Sequence, residues 1–171
     1  MLKKIQHWYD LIMTSISAVL LAVMFCVLVA NVILRLIPAV GGFKWYMEFS
    51  QYANVWAMLI GAAGVAAAGT NLRVEAVDSL FAKIPGGKKI AKIIVDVALL
   101  VFYFYMIKSG SILAQKAVQK VSTMPKFTMG QVYTIFPVAG VLCMIGTLLN
   151  LLVTLTSKDD ELTDSTEGSV V

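Results

Sequence analysis

Apolar residues gather into four long runs separated by short polar connections. From Leu11 to Leu34 the chain passes 24 residues without a charge, and Phe49 to Asn71 adds another 23. About 20 apolar residues cross the ~30 Å hydrocarbon core of a bilayer as a helix. The third run, Ile93–Ile107, is shorter and holds Asp96. It reaches spanning length by extending at both ends, with Lys89, Lys92 and Lys108 snorkelling to the interfaces. The fourth, Phe127–Ser157, carries no charge. The pattern predicts an all-α integral membrane fold of four transmembrane helices, at 11–37, 49–70, 90–112 and 130–156.

The connections differ in kind. In LRVEAVDSLFAKIPGG, Val74, Val77, Leu80, Phe81 and Ile84 recur at helical spacing, and Pro85-Gly86-Gly87 stops the pattern. This predicts a short amphipathic helix at 72–84 lying in the interface; the alternative is a loop that extends the second helix. The connection Ser109–Gly130 is more polar, and its first part, through Lys120, has the residues to continue the third helix above the membrane. Residues 1–156 read as one membrane domain. Residues 157–171 (SKDDELTDSTEGSVV) read as a disordered cytoplasmic tail, because they are acidic, small and polar.

Composition agrees: 59% of the 171 residues are hydrophobic and only 14% charged, against roughly 25% charged in a soluble domain. Mean hydropathy is +0.83. The net charge of +4 is dispersed, so it reports topology and not a nucleic-acid surface. With the N-terminus inside, Lys3, Lys4, Arg73, Lys83, Lys88, Lys89, Lys92 and Lys158 face the cytoplasm. Arg35, Lys44, Lys108, Lys116, Lys120 and Lys126 then face out. The bias favours both termini in the cytoplasm. Lys3 and Lys4 ahead of an apolar stretch look signal-like, but the apolar core exceeds the usual 7–15 residues, which predicts a retained first span.

Candidate chemistry is sparse. The one histidine, His7, precedes the first span, which leaves no axial haem ligand inside the helices. Cys26 and Cys143 lie inside apolar runs, where thiols act as small hydrophobes. Neither metal-ligand spacing nor a nucleophile with a base is found, so the reading is against catalysis and expects no cofactor. Among intramembrane polar groups, Asn31 lies one turn below Arg35 on the same face; Asn54 and Asn150 are the other amides. Asp96 follows Lys92 by four residues, an interfacial i,i+4 pair. The second helix places Ala53, Ala57, Gly61, Gly64 and Ala68 along one face. Such small residues let another helix approach closely, within this chain or from a partner. Trp8, Trp45, Trp56, Tyr9, Tyr46 and Tyr52 read as interface-belt aromatics.

The stretch NVILRLIPAVGGFKWYMEFSQY sets Arg35 and Glu48 on either side of a turn containing Pro38 and Gly41-Gly42. Lipid penalises charge, so each needs a partner, water or a function. Arg35 reads as the outer cap of the first helix and Glu48 as its counterpart on the second, paired with each other or with another chain.

Asn31-x-x-x-Arg35, Trp45-x-x-Glu48, Trp56, Gly61-Ala62-Ala63 and Arg73-Val74, in this order, resemble the small, DctQ-type membrane subunit of tripartite ATP-independent periplasmic (TRAP) transporters. Ser122-Thr123-x-Pro125 and Tyr133-x-x-x-Pro137-x-x-Gly140 fit the same pattern, and the resemblance covers about residues 10–152. Two positions depart from it: Met47-Glu48 stands where two acids are common, and Asn71 where a histidine is. The resemblance implies a non-catalytic subunit in a bacterial inner membrane. It also implies a large membrane subunit carrying substrate and sodium sites, and a periplasmic substrate-binding protein. Substrates in that family include C4-dicarboxylates, other carboxylates and sialic acid. Asn31, Arg35, Trp45, Glu48, Trp56, Gly61, Gly64, Pro125, Tyr133 and Pro137 become the candidates for helix–helix or subunit contacts. A self-sufficient four-helix transporter and a non-transport anchor or assembly subunit are the rival readings.

Overall fold

The computed structural model describes residues 2–37, 41–69 and 87–156. Pro38, the expected interfacial helix at 72–84 and the tail at 157–171 lie outside the described residues. Five helices occupy the rest: α1 (Leu2–Arg35), α2 (Tyr46–Ala68), α3 (Gly87–Lys116), α4 (Met129–Tyr133) and α5 (Ile135–Thr156). Among the described residues there is no strand, only an isolated antiparallel bridge between Lys120 and Thr128.

Three stretches are long and apolar enough to cross a membrane: Leu2–Arg35, Lys92–Lys116 and Met129–Thr156. α2 is not among them. Its Gln51 and Asn54 and its dense alanines and glycines dilute its apolar character. The packing order explains that composition. α1 lies against α2, α2 against α5 and α5 against α3, so α2 and α5 form the middle and α1 and α3 the flanks.

A helix held between two neighbours needs small residues on two faces. On one, a Cβ at Gly61 would stand 3.0 Å from Ser17 Oγ, and one at Gly64 2.9 Å from Asp10 Oδ1, both on α1. On the other, a Cβ at Gly146 of α5 would meet the Ala63 carbonyl at 2.8 Å and the Ala67 nitrogen at 3.0 Å. Ala57, Ala63, Ala66 and Ala67 are fully buried as a result. The bulky side chains point the other way. Val19, Phe25 and Val32 on α1 and Ile94, Phe102 and Phe104 on α3 are exposed. In water such a surface would aggregate; against lipid tails it is the expected exterior.

α1 starts well before its apolar run. Gln6, Asp10, Thr14 and Ser17 follow at three- and four-residue steps and face α2, so the helical pattern continues through polar residues. Gln6 Nε2 donates to the Ala67 carbonyl and Ser17 Oγ to the Ala57 carbonyl at 2.7 Å. Thr14 Oγ1 donates to Asp10 Oδ1 at 3.2 Å. Polar side chains on backbone carbonyls are a membrane substitute for the hydrophobic drive between helices.

The fourth apolar run is not one helix but two, broken at Thr134. Pro137 supplies the reason. It has no N–H to give the Tyr133 carbonyl, so the ladder cannot run through. Thr134 instead turns both its N–H and its Oγ1 to the Gly130 carbonyl, at 3.1 and 2.9 Å. The proline is also a contact: a Cβ at Gly110 of α3 would lie 2.9 Å from Pro137 Cδ. One turn on, a Cβ at Gly140 would lie 2.7 Å from Ile107 Cγ1. The Pro137/Gly140 spacing thus shapes the α3–α5 crossing.

Candidate functional site

One end of the bundle carries the α1–α2 turn and the α3–α4 connection, and most of the candidate residues gather there. Asn31 is buried near the end of α1, and its Oδ1 accepts the Phe43 N–H at 2.8 Å. A Cβ at Gly42 would stand 2.5 Å from that same oxygen and 2.8 Å from Arg35 Cγ. Gly42 therefore lets the turn close over Asn31, and Asn31 anchors the entry to α2. Arg35 itself is exposed in the last turn of α1, and Glu48 lies in the first turn of α2. Each charge complements the dipole of its own helix.

Glu48 does not meet Arg35. Its Oε2 accepts the Thr123 N–H at 3.0 Å and the Thr123 hydroxyl at 2.5 Å, across 75 residues of chain. Tyr52 and Trp56, one and two turns further along the same face of α2, continue the series. The Tyr52 hydroxyl donates to Met129 Sδ at 3.5 Å and Trp56 Nε1 to the Val132 carbonyl at 3.1 Å. An i, i+4, i+8 stripe on α2 thereby fastens the segment that leads from α3 to α5. Trp56, Tyr52 and Tyr9 thus serve as contacts within the bundle. Tyr9, on α1, donates its hydroxyl to the Leu142 carbonyl of α5 at 2.8 Å. Each polar tip has a partner inside the bundle, which is the usual condition for burying such a ring. Trp45 stays at the α2 entry, edge-on to Phe49 with centroids 5.6 Å apart.

The fastened segment is itself ordered by its backbone. Met129 N donates to the Gln119 carbonyl and Gly130 N to the Ala117 carbonyl, both at 2.7 Å. Val121 N donates to the Phe127 carbonyl at 3.0 Å, and Gln131 Oε1 accepts the Thr128 N–H at 3.1 Å. Pro125 is exposed at the tip of this connection, flanked by Met124 and Lys126. Gly61 and Gly64 lie elsewhere, on the α1–α2 contact, and Tyr133 and Pro137 at the α4–α5 break.

A second polar cluster lies at the opposite end. Asp96 is buried, 3% exposed, and its two oxygens accept Asn150 Nδ2 at 3.1 and 3.0 Å. α3 packs that face on α5, so the carboxylate is covered within the bundle. Gly69 ends α2 in the left-handed conformation, φ +66°, with its Cα against the Asn150 amide. One carboxylate and one amide thus lock α3, α5 and the end of α2. Among the described residues no group of three or more His, Cys, Asp or Glu side chains is placed to hold a metal.

The sequence singled out Glu48 and Trp56 but left out Tyr52 as a contact and Thr123 as the carboxylate's partner. The four-residue spacing of Glu48, Tyr52 and Trp56 was a usable signal; Thr123 had none beyond its place in Ser122-Thr123-x-Pro125. A search of curated proteins finds no match to the chain. Residues 24–157 match the family model of tripartite ATP-independent periplasmic transporters, DctQ component. The match runs from the second half of α1 through α5, and so includes every contact at the loop end described above. The chain is a member of the DctQ family, a membrane component of TRAP transporters.

Proposed function

We propose that this subunit braces the large membrane subunit of a TRAP transporter during sodium-coupled, binding-protein-dependent uptake of an organic acid. The observation that carries the proposal is where the polar side chains go. Glu48, Tyr52, Trp56, Asn31, Asp96 and Asn150 all bond within the chain, which supports a scaffold more than a conduit. A transporter acting alone keeps polar groups facing a cavity near the midplane. In the proposed arrangement α2 is the fourth membrane-crossing helix, shielded by α1 and α5. Both termini are cytoplasmic, in a bacterial inner membrane, and the loop end faces the periplasm, where the 117–128 connection helps seat the binding protein. A C4-dicarboxylate, sialic acid or a related carboxylate is the substrate class.

Co-expression of the chain with the large membrane subunit of its TRAP system should yield a complex that survives purification. Deleting the chain should abolish uptake of the organic acid. Uptake that stays normal without the chain, or uptake by the purified chain alone in liposomes, overturns the proposal.

A further inference from the structure

A groove of about 580 Å³ opens beside the Glu48–Tyr52–Trp56 stripe, lined among others by Leu20, Phe49, Ala53, Met124, Phe127 and Val132. Its exposed lining is wholly apolar. Polar atoms of its lining residues are engaged with the chain itself: Trp56 Nε1 on Val132, Tyr52 Oη on Met129, Gln131 Oε1 on Thr128. An occupant therefore meets an apolar lining.

The groove is also built, not incidental. Glu48 holds Thr123, and so fixes the adjacent Met124 and, through the turn, Phe127 over the α2 surface. Below Leu20 and Trp56, α1 and α2 close on each other where Ser17 Oγ bonds the Ala57 carbonyl. On α2 the lining extends no deeper than Trp56. From the helix start at Tyr46 that is ten residues, about 15 Å. Half of a ~30 Å hydrocarbon core is the same depth, one leaflet. A partner's transmembrane helix would run through both leaflets, whereas this groove runs only about one leaflet's depth along α2.

Charge marks the mouth. Lys126 is exposed between two residues of the connection that roofs the groove, and Lys120 is exposed at the base of the same connection. Glu48, the one acid between Arg35 and Lys92 that the structure describes, is turned onto Thr123.

We infer that this groove is a phospholipid site: it holds one acyl chain of the loop-end leaflet while Lys126, with Lys120, holds an anionic headgroup. The inference needs only that the chain is embedded in a bilayer, so it stands or falls separately from the bracing role.

The test uses the full chain carrying Trp8→Phe and Trp45→Phe, which leaves Trp56 as its single indole. It is reconstituted in phosphatidylcholine vesicles containing brominated phosphatidylglycerol or, in parallel, brominated phosphatidylcholine. Bromine quenches an indole it touches. Phosphatidylglycerol should quench Trp56 at about fivefold lower mole fraction, the scale of one lysine near an anionic surface. Lys126→Gln, an exposed change that leaves the packing alone, should remove that preference. Ala53→Phe, which fills the groove, should weaken quenching by both lipids. Equal quenching by the two lipids, unaltered by Lys126→Gln, would mean ordinary boundary lipid and overturn the inference. Quenching that disappears on co-reconstitution with the large subunit would also overturn it, in favour of a protein occupant.

Discussion

Asn31 holds two pieces of backbone in register with one oxygen: the last turns of α1 and, through the Phe43 N–H, the entry to α2. Gly42 is the residue that permits this, so the cost of changing it falls on Asn31. Gly42→Ala would set a methyl group 2.5 Å from the Asn31 oxygen, and should destabilise the chain by about 1–3 kcal/mol. A lowered thermal midpoint in detergent, read by loss of the monodisperse peak, checks it. Gly41 is the control for a different cause: it has open space around it but φ +64°, so Gly41→Asn should cost less than Gly41→Val, which the left-handed region disfavours. Arg35 and Glu48 bear on the same turn, and their geometry makes a sharper statement. Because Glu48 is bonded to Thr123 and not to Arg35, exchanging the two charges should not rescue either single variant. The coupling between Arg35→Glu and Glu48→Arg should be near zero, whereas Glu48→Ala and Thr123→Val should couple by about 1 kcal/mol, the scale of a hydrogen bond to a charged group with partial exposure. Rescue by the exchange would show that the two residues pair in the membrane.

At the scale of elements, α2 is the helix to which the rest of the described chain is fastened. One face meets α1 through Gly61 and Gly64, another meets α5 through Ala63 and Ala67, and a third carries the Glu48 stripe. A substitution should therefore be felt according to face and not depth. Gly64→Leu would push into Asp10 and Thr14 and should cost about 1–3 kcal/mol. Ala62→Leu, two residues away but exposed, should change stability by less than about 0.5 kcal/mol. The same thermal assay compares them. Much of this was legible in the chain itself. Helical structure over the apolar runs followed from their length, with three of the stretches long and apolar enough to cross a membrane, and the small-residue face of α2 followed from its spacing. What was not legible had physical causes. Helix ends overran the apolar runs at Gln6 and Asp10, since polar residues that bond to a neighbouring helix look the same in sequence as polar residues leaving the membrane. That Asp96 also meets Asn150, 54 residues on, is something only the fold reveals. The apolar run at 130–156 reads as one helix, and the break ahead of Pro137 escapes that reading because it depends on how Thr134 and Gly130 satisfy the freed groups.

For the molecule as a whole, the distribution of charge around the bundle is the property that decides its orientation, and it is close to balanced. The loop end gathers Arg35, Lys44, Lys108, Lys116, Lys120 and Lys126, and the only acid in that part of the sequence, Glu48, is engaged internally. A basic end facing outward runs against the usual bias of cytoplasmic loops; the opposing count rests on Lys3, Lys4, Lys92 and the lysines and arginine that flank the α2–α3 connection. The proposed topology therefore makes a strict prediction. In a background of Cys26→Ala and Cys143→Ala, which removes both native thiols, a membrane-impermeant maleimide should label Lys126→Cys in intact cells. Lys3→Cys should be labelled only after the membrane is opened. Both positions are exposed, so burial does not stand between reagent and thiol. The reverse pattern would turn the bundle over and place the Glu48–Thr123 connection in the cytoplasm. It would separate that connection from any periplasmic binding protein, while leaving the α2 contacts and the groove beside Trp56 as they are.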